Sequence, residues 1–352
     1  MRRVCWHDLC MRISADHFVF VVRHEEGSTA KLLSELNEEM QKNKQLPVFT
    51  IKYGVYEKVN SSLPLERIYD RAMVACGRIK DVYGEYVSFY DEELRKRLIK
   101  EQQLIDCMED ALRCGQFKVY YQPKHSLKTG KIVGMEALVR WIHPEMGFIS
   151  PGDFIPLFER NGFIPELDMF VFETVCKDIR SWMEAGLPLY PVSINASRHD
   201  FLVEDYLAKI NEIIDGMGIS RLLIHMEVTE SMYMENAELV IDRVKAIRES
   251  GICIEMDDFG SGYSSLGMLG EIPLDIVKLD ISFVRRIDSK IEIIQSIINL
   301  VHELGMKVVA EGTETQSQID ILRSMGCDYV QGYFYSRPLP KAELEEYVKD
   351  RQ

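Results

Sequence analysis

The sequence predicts an α/β fold in which residues 115–352 form a closed (β/α)₈ barrel of the TIM type, behind a small, partial α/β domain. Eight short apolar or β-branched runs alternate with helical patterns, and the stretch is close to the length of about 250 residues that such a barrel needs. The predicted strands are Phe117–Tyr121, Ile132–Val139, Tyr190–Ile194, Leu222–Val228, Ile252–Met256, Ile276–Leu279, Val308–Ala310 and Asp328–Val330. Helices at Asp168–Ala185 and Ile291–Leu304 would belong to the outer ring. A doubly wound sheet remains the alternative, because strand order is not written in a sequence.

A small α/β pattern precedes the barrel and ends in a helix. Its predicted elements are a strand at 17–23, a helix near 28–43, a strand at 48–56, a helix near 64–80 and an extended stretch at 85–90. Residues 91–114 are charged and amphipathic, with Leu94, Leu98 and Leu104 on one side, which indicates a connecting helix. The predicted domains are therefore residues 1–90, the connecting helix 91–114 and the barrel 115–352.

Composition limits the classes of function. The formal net charge of -14 and the lack of a basic stripe argue against binding long nucleic acid. Phosphate-bearing ligands would need bound cations and a few placed Lys or Arg side chains. The eight cysteines are dispersed, with no Cys-x-x-Cys pair and no Cys/His grouping at zinc spacing, which indicates reduced thiols. We find no signal peptide and no membrane-spanning run, so a soluble, cytoplasmic chain is predicted.

Polar residues end each predicted strand. They are Gln122, Glu136, Asn195, Glu227, Asp257 with Asp258, Lys278, Glu311 and Gln331. In a (β/α)₈ barrel the carboxyl ends of the strands meet on one face, so these side chains would share a pocket. Carboxylate and amide oxygens suit Mg²⁺ or Mn²⁺ rather than zinc, and five carboxylates would repel one another without cations. The pattern predicts metal-dependent hydrolysis of a phosphodiester.

Two structural explanations compete with this metal site. Asn195 and Asp258 could be helix N-caps, which are common at strand-to-helix junctions. Lys278 and Glu311 could form a structural ion pair. Glu136 has no such explanation, because Glu is a poor cap.

The segment 257–266 contains paired aspartates followed by Gly260 and Gly262, which indicates a loop whose backbone can approach a ligand. No Gly-Lys-Ser/Thr follows, so it is not a P-loop. Gly262-Tyr263-Ser264-Ser265-Leu266 lacks the second glycine of a nucleophile elbow, which makes a serine hydrolase a weak rival.

Nine segments occur in order between Tyr121 and Pro340. They are Tyr121-Gln122-Pro123, Glu136-Ala137-Leu138-Val139-Arg140-Trp141, Phe154-Ile155-Pro156, Ser193-Ile194-Asn195, Glu227-Val228-Thr229-Glu230, Asp257 to Leu266, Val277-Lys278-Leu279-Asp280, Ala310-Glu311-Gly312-Thr313-Glu314 and Gln331-Gly332-Tyr333. This set resembles the EAL-domain family, bacterial phosphodiesterases of cyclic di-GMP. Thr313 and Ala196 depart from the family's usual residues, but neither departure removes a ligand.

The resemblance implies a role for each site residue. Glu136, Asn195, Glu227 and Asp257 would hold one Mg²⁺ or Mn²⁺ ion, and Asp257 and Asp258 a second. Glu136, Lys278 and Glu311 are the implied catalytic residues: Lys278 would orient the attacking water, and Glu311 would act as base or position that water. Glu230 would anchor the 257–266 loop. The implied substrate-seating residues are Gln122, Leu138, Arg140, Asp280 and Gln331. The implied product is linear 5′-pGpG, and a homodimer is expected.

The N-terminal part resembles the back half of a GGDEF (diguanylate cyclase) domain. Arg12-Ile13-Ser14-Ala15-Asp16-His17-Phe18 stands where such a domain has Gly-Gly-Asp-Glu-Phe, and Phe49 to Val55 looks like its later strand. Both glycines and the glutamate are missing, so cyclase activity is not expected. No Arg-x-x-Asp precedes the segment, which puts the family's inhibitory product site in doubt. The chain is expected to start partway into such a domain.

Three functional hypotheses follow. The first is a phosphodiesterase that hydrolyses cyclic di-GMP and lowers signalling by this second messenger. The second is a catalytically silent cyclic di-GMP receptor that signals through the N-terminal part. The third is a structural scaffold that binds no nucleotide.

Overall fold

The computed structural model describes residues 9–14, 16–22, 29, 31–35, 51–80, 84–233, 237–260, 269–270 and 272–351. Close approaches between Cα atoms divide the chain into two compact units, with the division between Gln103 and Leu104. Within the described part of the chain, no helix has both the length and the apolar character needed to cross a membrane.

The N-terminal unit contains two small sheets and a helix. Strands β1 (Leu9–Arg12) and β2 (Phe18–Val21) are antiparallel, whereas β3 (Tyr53–Val55) and β4 (Val87–Phe89) are parallel and are connected through α1 (Leu65–Arg78). All of these elements except β1 fall where the sequence predicts them. Residues 29 and 31–35 are helical, and the rest of the predicted helix 28–43, residue 23 and residues 48–50 lie outside the described residues. Helix α2 (Glu92–Arg113) follows, and the division between the units falls within it.

Eight strands close into a barrel, as predicted. They are β5 (Phe117–Ser126), β6 (Ile132–His143), β8 (Val192–Asn195), β9 (Ile224–Thr229), β10 (Cys253–Phe259), β11 (Ile276–Leu279), β12 (Lys307–Glu311) and β13 (Tyr329–Gln331). Two further strands pair antiparallel with this wall, β7 (Gly147–Ile149) with β6 and β14 (Leu339–Pro340) with β5. Strand β5 is antiparallel to both β6 and β13, and these two pairings complete the closure. The other neighbours in the barrel wall are parallel.

Helices surround this barrel. They are α3 (Pro151–Asn161), α4 (Ile164–Glu184), α5 (Arg198–Leu202), α6 (Tyr206–Met217), α7 (Ala237–Glu249), α8 (Ile281–Arg285), α9 (Ile291–Glu303), α10 (Gln316–Ser324) and α11 (Lys341–Lys349), with 3₁₀ turns at Arg221–Leu223, Glu230–Tyr233 and Ile287–Ser289. Helix α9 buries Ile294, Ile297, Ile298 and Val301, the spacing of one helical face. Both long helices predicted from the sequence are present.

The hydrophobic core lies between the strands and the helices, and the inside of the barrel is polar. On β11, Val277 and Leu279 belong to the core, and Lys278 between them points the other way. The buried polar side chains inside the barrel include Lys124, Ser193, Glu227, Glu255 and Lys278. Alternation along the strands therefore places charged groups in the barrel interior.

The prediction that every polar site residue ends a strand is wrong for Gln122 and Glu136. These two residues pair with each other in the middle of the β5–β6 hairpin. The hairpin is longer than the apolar runs suggested, because the antiparallel ladder continues through buried polar residues such as Lys124 and Ser126. Glu227, Asp257, Asp258 and Lys278 also stand before the last residue of their strands.

Candidate active site at the carboxyl ends of the barrel strands

Five predicted metal ligands and the predicted base Glu311 surround one lysine near the carboxyl ends of the strands. We call Glu136, Asn195, Glu227, Asp257, Asp258 and Glu311 the acid ring. The Lys278 ammonium is 1% exposed, and its nitrogen lies 2.8 Å from Glu227 Oε2, 2.9 Å from Asp257 Oδ1, 2.8 Å from Glu311 Oε1 and 3.4 Å from Glu136 Oε2. The ion pair considered as an alternative explanation for Lys278 and Glu311 is therefore present, but it is one contact of four.

Asn195 belongs to the ring and not to a helix cap. Its Nδ2 donates to Glu136 Oε1 at 3.3 Å, and in the ladder it stands opposite Glu227. Helix α5 is capped by Ser197, which forms a capping box with Asp200. The N-cap explanation for Asn195 is therefore wrong.

A β-bulge allows the two neighbouring aspartates to serve the same site. Adjacent residues of a regular strand point to opposite faces, but the β10–β11 register shifts between Met256 and Phe259. Asp258 adopts a φ of 53°, which is uncommon for a residue other than glycine. One oxygen each of Asp257, Asp258 and Glu311 lie within 4.8 Å of one another. The sequence shows the aspartate pair but not the bulge that brings both to the ring.

Burial and crowding oppose the ionisation of three carboxyls of the ring. Burial raises the pKa of Glu311 to about 8, in spite of the neighbouring Lys278. Burial and then the charge of Asp257 raise the pKa of Asp258 to about 6. Burial, followed by the charge of Glu136, raises the pKa of Glu227 well above its ordinary value. Divalent cations would favour the ionised forms, and an oxygen-only donor set of this kind fits Mg²⁺ or Mn²⁺.

A cavity of about 300 Å³ opens over the acid ring. Four of the predicted substrate-seating residues line it: Gln122, Leu138, Asp280 and Gln331. Arg140 is not among the described lining residues, since its guanidinium donates to Val139 O at 2.8 Å and lies over the Tyr120 ring. The lining also includes residues that the sequence reasoning missed, namely Ile281, Arg285, Glu314 and Tyr333. Ile281 and Arg285 follow β11, Glu314 follows β12 and Tyr333 follows β13. Their positions after these strands could have indicated from the sequence that they line the site.

Two glutamines connect the ring to the cavity. Gln331 Nε2 donates to Glu136 Oε2 at 2.5 Å and to Gln122 Oε1 at 3.2 Å, and Gln122 Nε2 donates to Ser336 O at 3.1 Å. Gln331 Oε1 is buried and has no hydrogen-bond partner within the described structure. A buried acceptor of this kind usually has a partner, so a ligand donor or a water would satisfy it.

Asp280 and Glu230 have contacts of their own. Asp280 caps α8, with Oδ1 accepting from Ser282 N at 2.9 Å, while it also lines the cavity. Glu230 is 8% exposed, and its Oε2 accepts from Gly260 N in a long contact of 3.4 Å. Gly260 has a φ of 88°, and a Cβ there would lie 2.2 Å from the Phe283 ring, so this position needs glycine. Residues 261–266 of the predicted loop lie outside the described residues.

A second charged cluster lies below the ring, toward the amino ends of the strands, and the sequence reasoning missed it. We call Lys124, Ser193, His225 and Glu255 the lower network. Lys124 Nζ donates to Ser193 Oγ at 2.6 Å, to Glu227 Oε1 at 2.9 Å and to Glu255 Oε2 at 2.6 Å. A signal existed, because Lys124, Ser193, His225 and Glu255 each stand two residues from a predicted site residue and so share its face.

Cys253 adjoins the lower network. One ligand atom each of His225, Cys253 and Glu255 lie within 4.8 Å of one another, because Cys253 stands opposite His225 in the β9–β10 ladder. The lack of Cys/His spacing in the sequence therefore did not exclude such a group across strands. Burial, and then the charge of Glu255, raise the pKa of the Cys253 thiol. Glu255 is already paired with Lys124. The group of His225, Cys253 and Glu255 therefore needs a bound cation less than the acid ring does.

Residues 106–338 match the EAL domain, a match that covers the barrel and both glutamines of the cavity. The chain belongs to the EAL domain family. It is 34% identical over 350 residues to cyclic di-GMP phosphodiesterase NbdA of Pseudomonas aeruginosa, covering 97% of this chain and 45% of NbdA. It is 28% identical to the bifunctional diguanylate cyclase/cyclic di-GMP phosphodiesterase MucR of the same species, covering 96% of this chain and 50% of MucR. The chain thus spans about half the length of these curated relatives.

Solved EAL structures resemble this one. The PaMucR phosphodiesterase in complex with c-di-GMP has a TM-score of 0.66 at 33% identity, covering 69% of this chain and 99% of that chain. The EAL domain protein from Listeria monocytogenes EGD-e has a TM-score of 0.61 at 34% identity, covering 68% of this chain and 96% of that chain. These similarities agree with the closed barrel found here.

Proposed function

We propose that this EAL domain hydrolyses cyclic di-GMP to linear 5′-pGpG with the help of two Mg²⁺ or Mn²⁺ ions. The acid ring carries this proposal: four of its five carboxylates contact Lys278, in a chain whose relatives NbdA and MucR are named cyclic di-GMP phosphodiesterases. A cavity lined by so many carboxylates would repel a phosphodiester anion. Bound cations would reverse that repulsion.

The acid ring divides between two metal positions. Glu136, Asn195, Glu227 and Asp257 would hold one ion, and Asp257 with Asp258 the second. Two such ions would lower the pKa of the attacking water and stabilise the negative charge that develops on the phosphodiester. The grouping of Asp257, Asp258 and Glu311 within 4.8 Å supports this division.

Lys278 and Glu311 would handle the proton and the phosphate charge. Glu311 would accept the proton of the attacking water, since bound divalent ions would favour the ionised carboxylate over the protonated form that its raised pKa favours in their absence. Lys278 lies 2.8 Å from Glu311 and so is placed to orient that water and to steady the charge on the phosphate. Glu136 completes the catalytic set, since Lys278, Asn195 and Gln331 all contact its two oxygens.

Substrate would occupy the cavity over the ring. Gln122, Leu138, Asp280 and Gln331 are placed to seat it, and the unpaired Gln331 Oε1 offers an acceptor for a base N–H. Arg140 does not line the described cavity, so it would contact only a part of the ligand that extends beyond the cavity. Glu230 would anchor the loop that begins at Asp257, through its contact with Gly260.

The N-terminal unit is proposed to be a degenerate, partial GGDEF domain without cyclase activity. Strands β1 and β2 pair on either side of the position where the cyclase motif would stand, which supports this interpretation. Dimerisation through the barrel also stays a prediction. Light scattering of the purified chain would test it, and a monomer at all concentrations would contradict it.

Hydrolysis is tested by incubating the purified chain with cyclic di-GMP and Mg²⁺ or Mn²⁺ and separating the products by chromatography. We expect pGpG with either metal and none after chelation. Tight binding with all ligand recovered as cyclic di-GMP would favour the silent receptor. A failure to bind the nucleotide at all would favour the scaffold.

A further inference from the structure

Lys124 is a fully buried charge that lies in the barrel interior, two residues along β5 from Gln122. Its side chain is 5% exposed, and its ammonium makes three contacts, with Ser193, Glu227 and Glu255. A lysine ammonium has three N–H donors, so each one is satisfied. Its position is thereby fixed in all directions.

Glu227 is held between two lysines. Its Oε1 accepts from Lys124 at 2.9 Å and its Oε2 from Lys278 at 2.8 Å. The carboxylate is fully buried and belongs to the acid ring. Rotation of this carboxylate would break both contacts. Its orientation toward the ring therefore depends on Lys124 as well as on Lys278.

Glu255, which contacts Lys124, is itself held by further contacts. Glu255 accepts from Lys124 on Oε2, and on Oε1 it meets Ser193 Oγ at 2.7 Å and His225 Nδ1 at 2.6 Å. The Glu255 side chain is fully buried. A continuous chain of short contacts thus runs from His225 and Ser193 through Glu255 and Lys124 to Glu227.

We propose that Lys124 is a positioning residue for the metal centre, acting through Glu227. The inference rests on the proposed function, since it assigns Glu227 to the first metal ion. Groups that orient a metal ligand typically change metal affinity about 10–100-fold when removed. The alternative is that Lys124 serves only to neutralise Glu255.

A charge-balanced double variant separates these two roles. Lys124→Met combined with Glu255→Gln removes one positive and one negative charge, so no unpaired ion is left below the ring. If Lys124 positions Glu227, Mn²⁺ affinity measured by calorimetry without substrate should fall about 10–100-fold. The Mn²⁺ concentration for half-maximal turnover should rise by the same factor. The KM for cyclic di-GMP at saturating Mn²⁺ should remain unchanged, because no lower-network residue lines the cavity.

The matched control is Lys307→Met, which removes an exposed lysine at the start of β12 that pairs with Asp328 at 3.1 Å. It should bind Mn²⁺ like the wild type. A double variant that folds and binds Mn²⁺ with wild-type affinity would overturn the positioning role while leaving the proposed function intact. If the wild type itself binds no Mn²⁺, both the proposed function and the positioning role fail.

Ser193→Ala decides the question if the double variant does not fold. It removes one partner each of Lys124 and Glu255 and leaves all charges in place. We expect a smaller loss of Mn²⁺ affinity than in the double variant, with the far-ultraviolet circular dichroism of the wild type. Unchanged Mn²⁺ affinity in Ser193→Ala would then overturn the proposal.

Discussion

Two clusters of charged side chains lie one above the other inside the barrel, and they differ in how completely their charge is neutralised. The acid ring has five carboxylates, four of which contact Lys278, and it opens on a cavity. In the lower network Lys124 pairs with Glu255 at 2.6 Å, and Ser193 and His225 contact the remaining Glu255 oxygen. Glu227 belongs to the ring and is contacted from both sides.

This difference indicates that the acid ring is a binding site and that the lower network is a rigid support. Uncompensated carboxylates cost stability in the folded protein, and the raised pKa values of Glu311 and Asp258 reflect that cost. Paired and hydrogen-bonded charges hold a buried structure together only while both partners remain. Functional sites commonly give up stability in this way for activity. Substitutions in the two clusters should therefore have opposite effects on stability.

The largest effect is expected for Glu311→Gln in the acid ring. Loss of the base should lower kcat by about 100- to 10,000-fold, the range typical of general acid–base groups. Stability in urea should stay equal or rise, because a buried carboxyl with a raised pKa is removed. The matched control is Glu314→Gln, an exposed acid lining the same cavity, which should keep most activity. Undiminished turnover in Glu311→Gln would remove Glu311 from the mechanism.

Next in size is the effect of Glu255→Gln in the lower network. Removing one partner of a buried pair leaves the Lys124 charge uncompensated and should cost about 3–5 kcal/mol of unfolding free energy. Urea denaturation followed by circular dichroism measures this. Glu292→Gln, at an exposed site on α9, is the control. A loss as small as that of the control would show that the lower network is not the rigid support inferred here.

The pH dependence of stability should also distinguish the clusters. Between its ordinary pKa near 4.5 and about 8, folded Glu311 holds a proton that the unfolded chain has released. The folded state then binds more protons, so the contribution of Glu311 to stability falls as pH rises through this window. Without divalent ions, the wild type should therefore lose stability relative to Glu311→Gln as pH rises, and Mn²⁺ should flatten the difference. Parallel pH curves for the two proteins would contradict the raised pKa.

The smallest effect is expected where a charge pair is exposed. Lys307 and Asp328 lie 3.1 Å apart, but the lysine side chain is 55% exposed. Lys307→Met should change the unfolding free energy by less than about 1 kcal/mol. A loss as large as that of Glu255→Gln would mean that burial does not determine how much a charge pair contributes to stability.

The sequence predicted the barrel and most of the ring, because both follow from local patterns. Alternating apolar runs located all eight strands, and polar residues near their ends located Glu311 and Asn195. The β10 bulge at Asp258 was not predictable, since a register shift depends on the neighbouring strand and leaves no local signature. The proximity of His225 and Cys253 is similar, because it arises from the register of two strands that are separated in sequence by helix α7.

Lys124 shows a different limit of sequence reasoning. It lies beyond the end of the predicted strand Phe117–Tyr121, whereas the hairpin continues and buries it. Buried lysines are rare, so composition favours an exposed position for each one. Only the contacts with Glu227 and Glu255 reveal why this one is inside.

A calorimetric titration of Mn²⁺ into the wild type, Asp257→Asn and Cys253→Ser tests the central claim most directly. Asp257 would contribute to both metal positions of the acid ring, and Cys253 belongs to the group beside the lower network. We predict two Mn²⁺ ions per wild-type chain, the same in Cys253→Ser, and none in Asp257→Asn. Binding that survives Asp257→Asn, or that disappears in Cys253→Ser, would contradict the assignment of the acid ring as the metal centre.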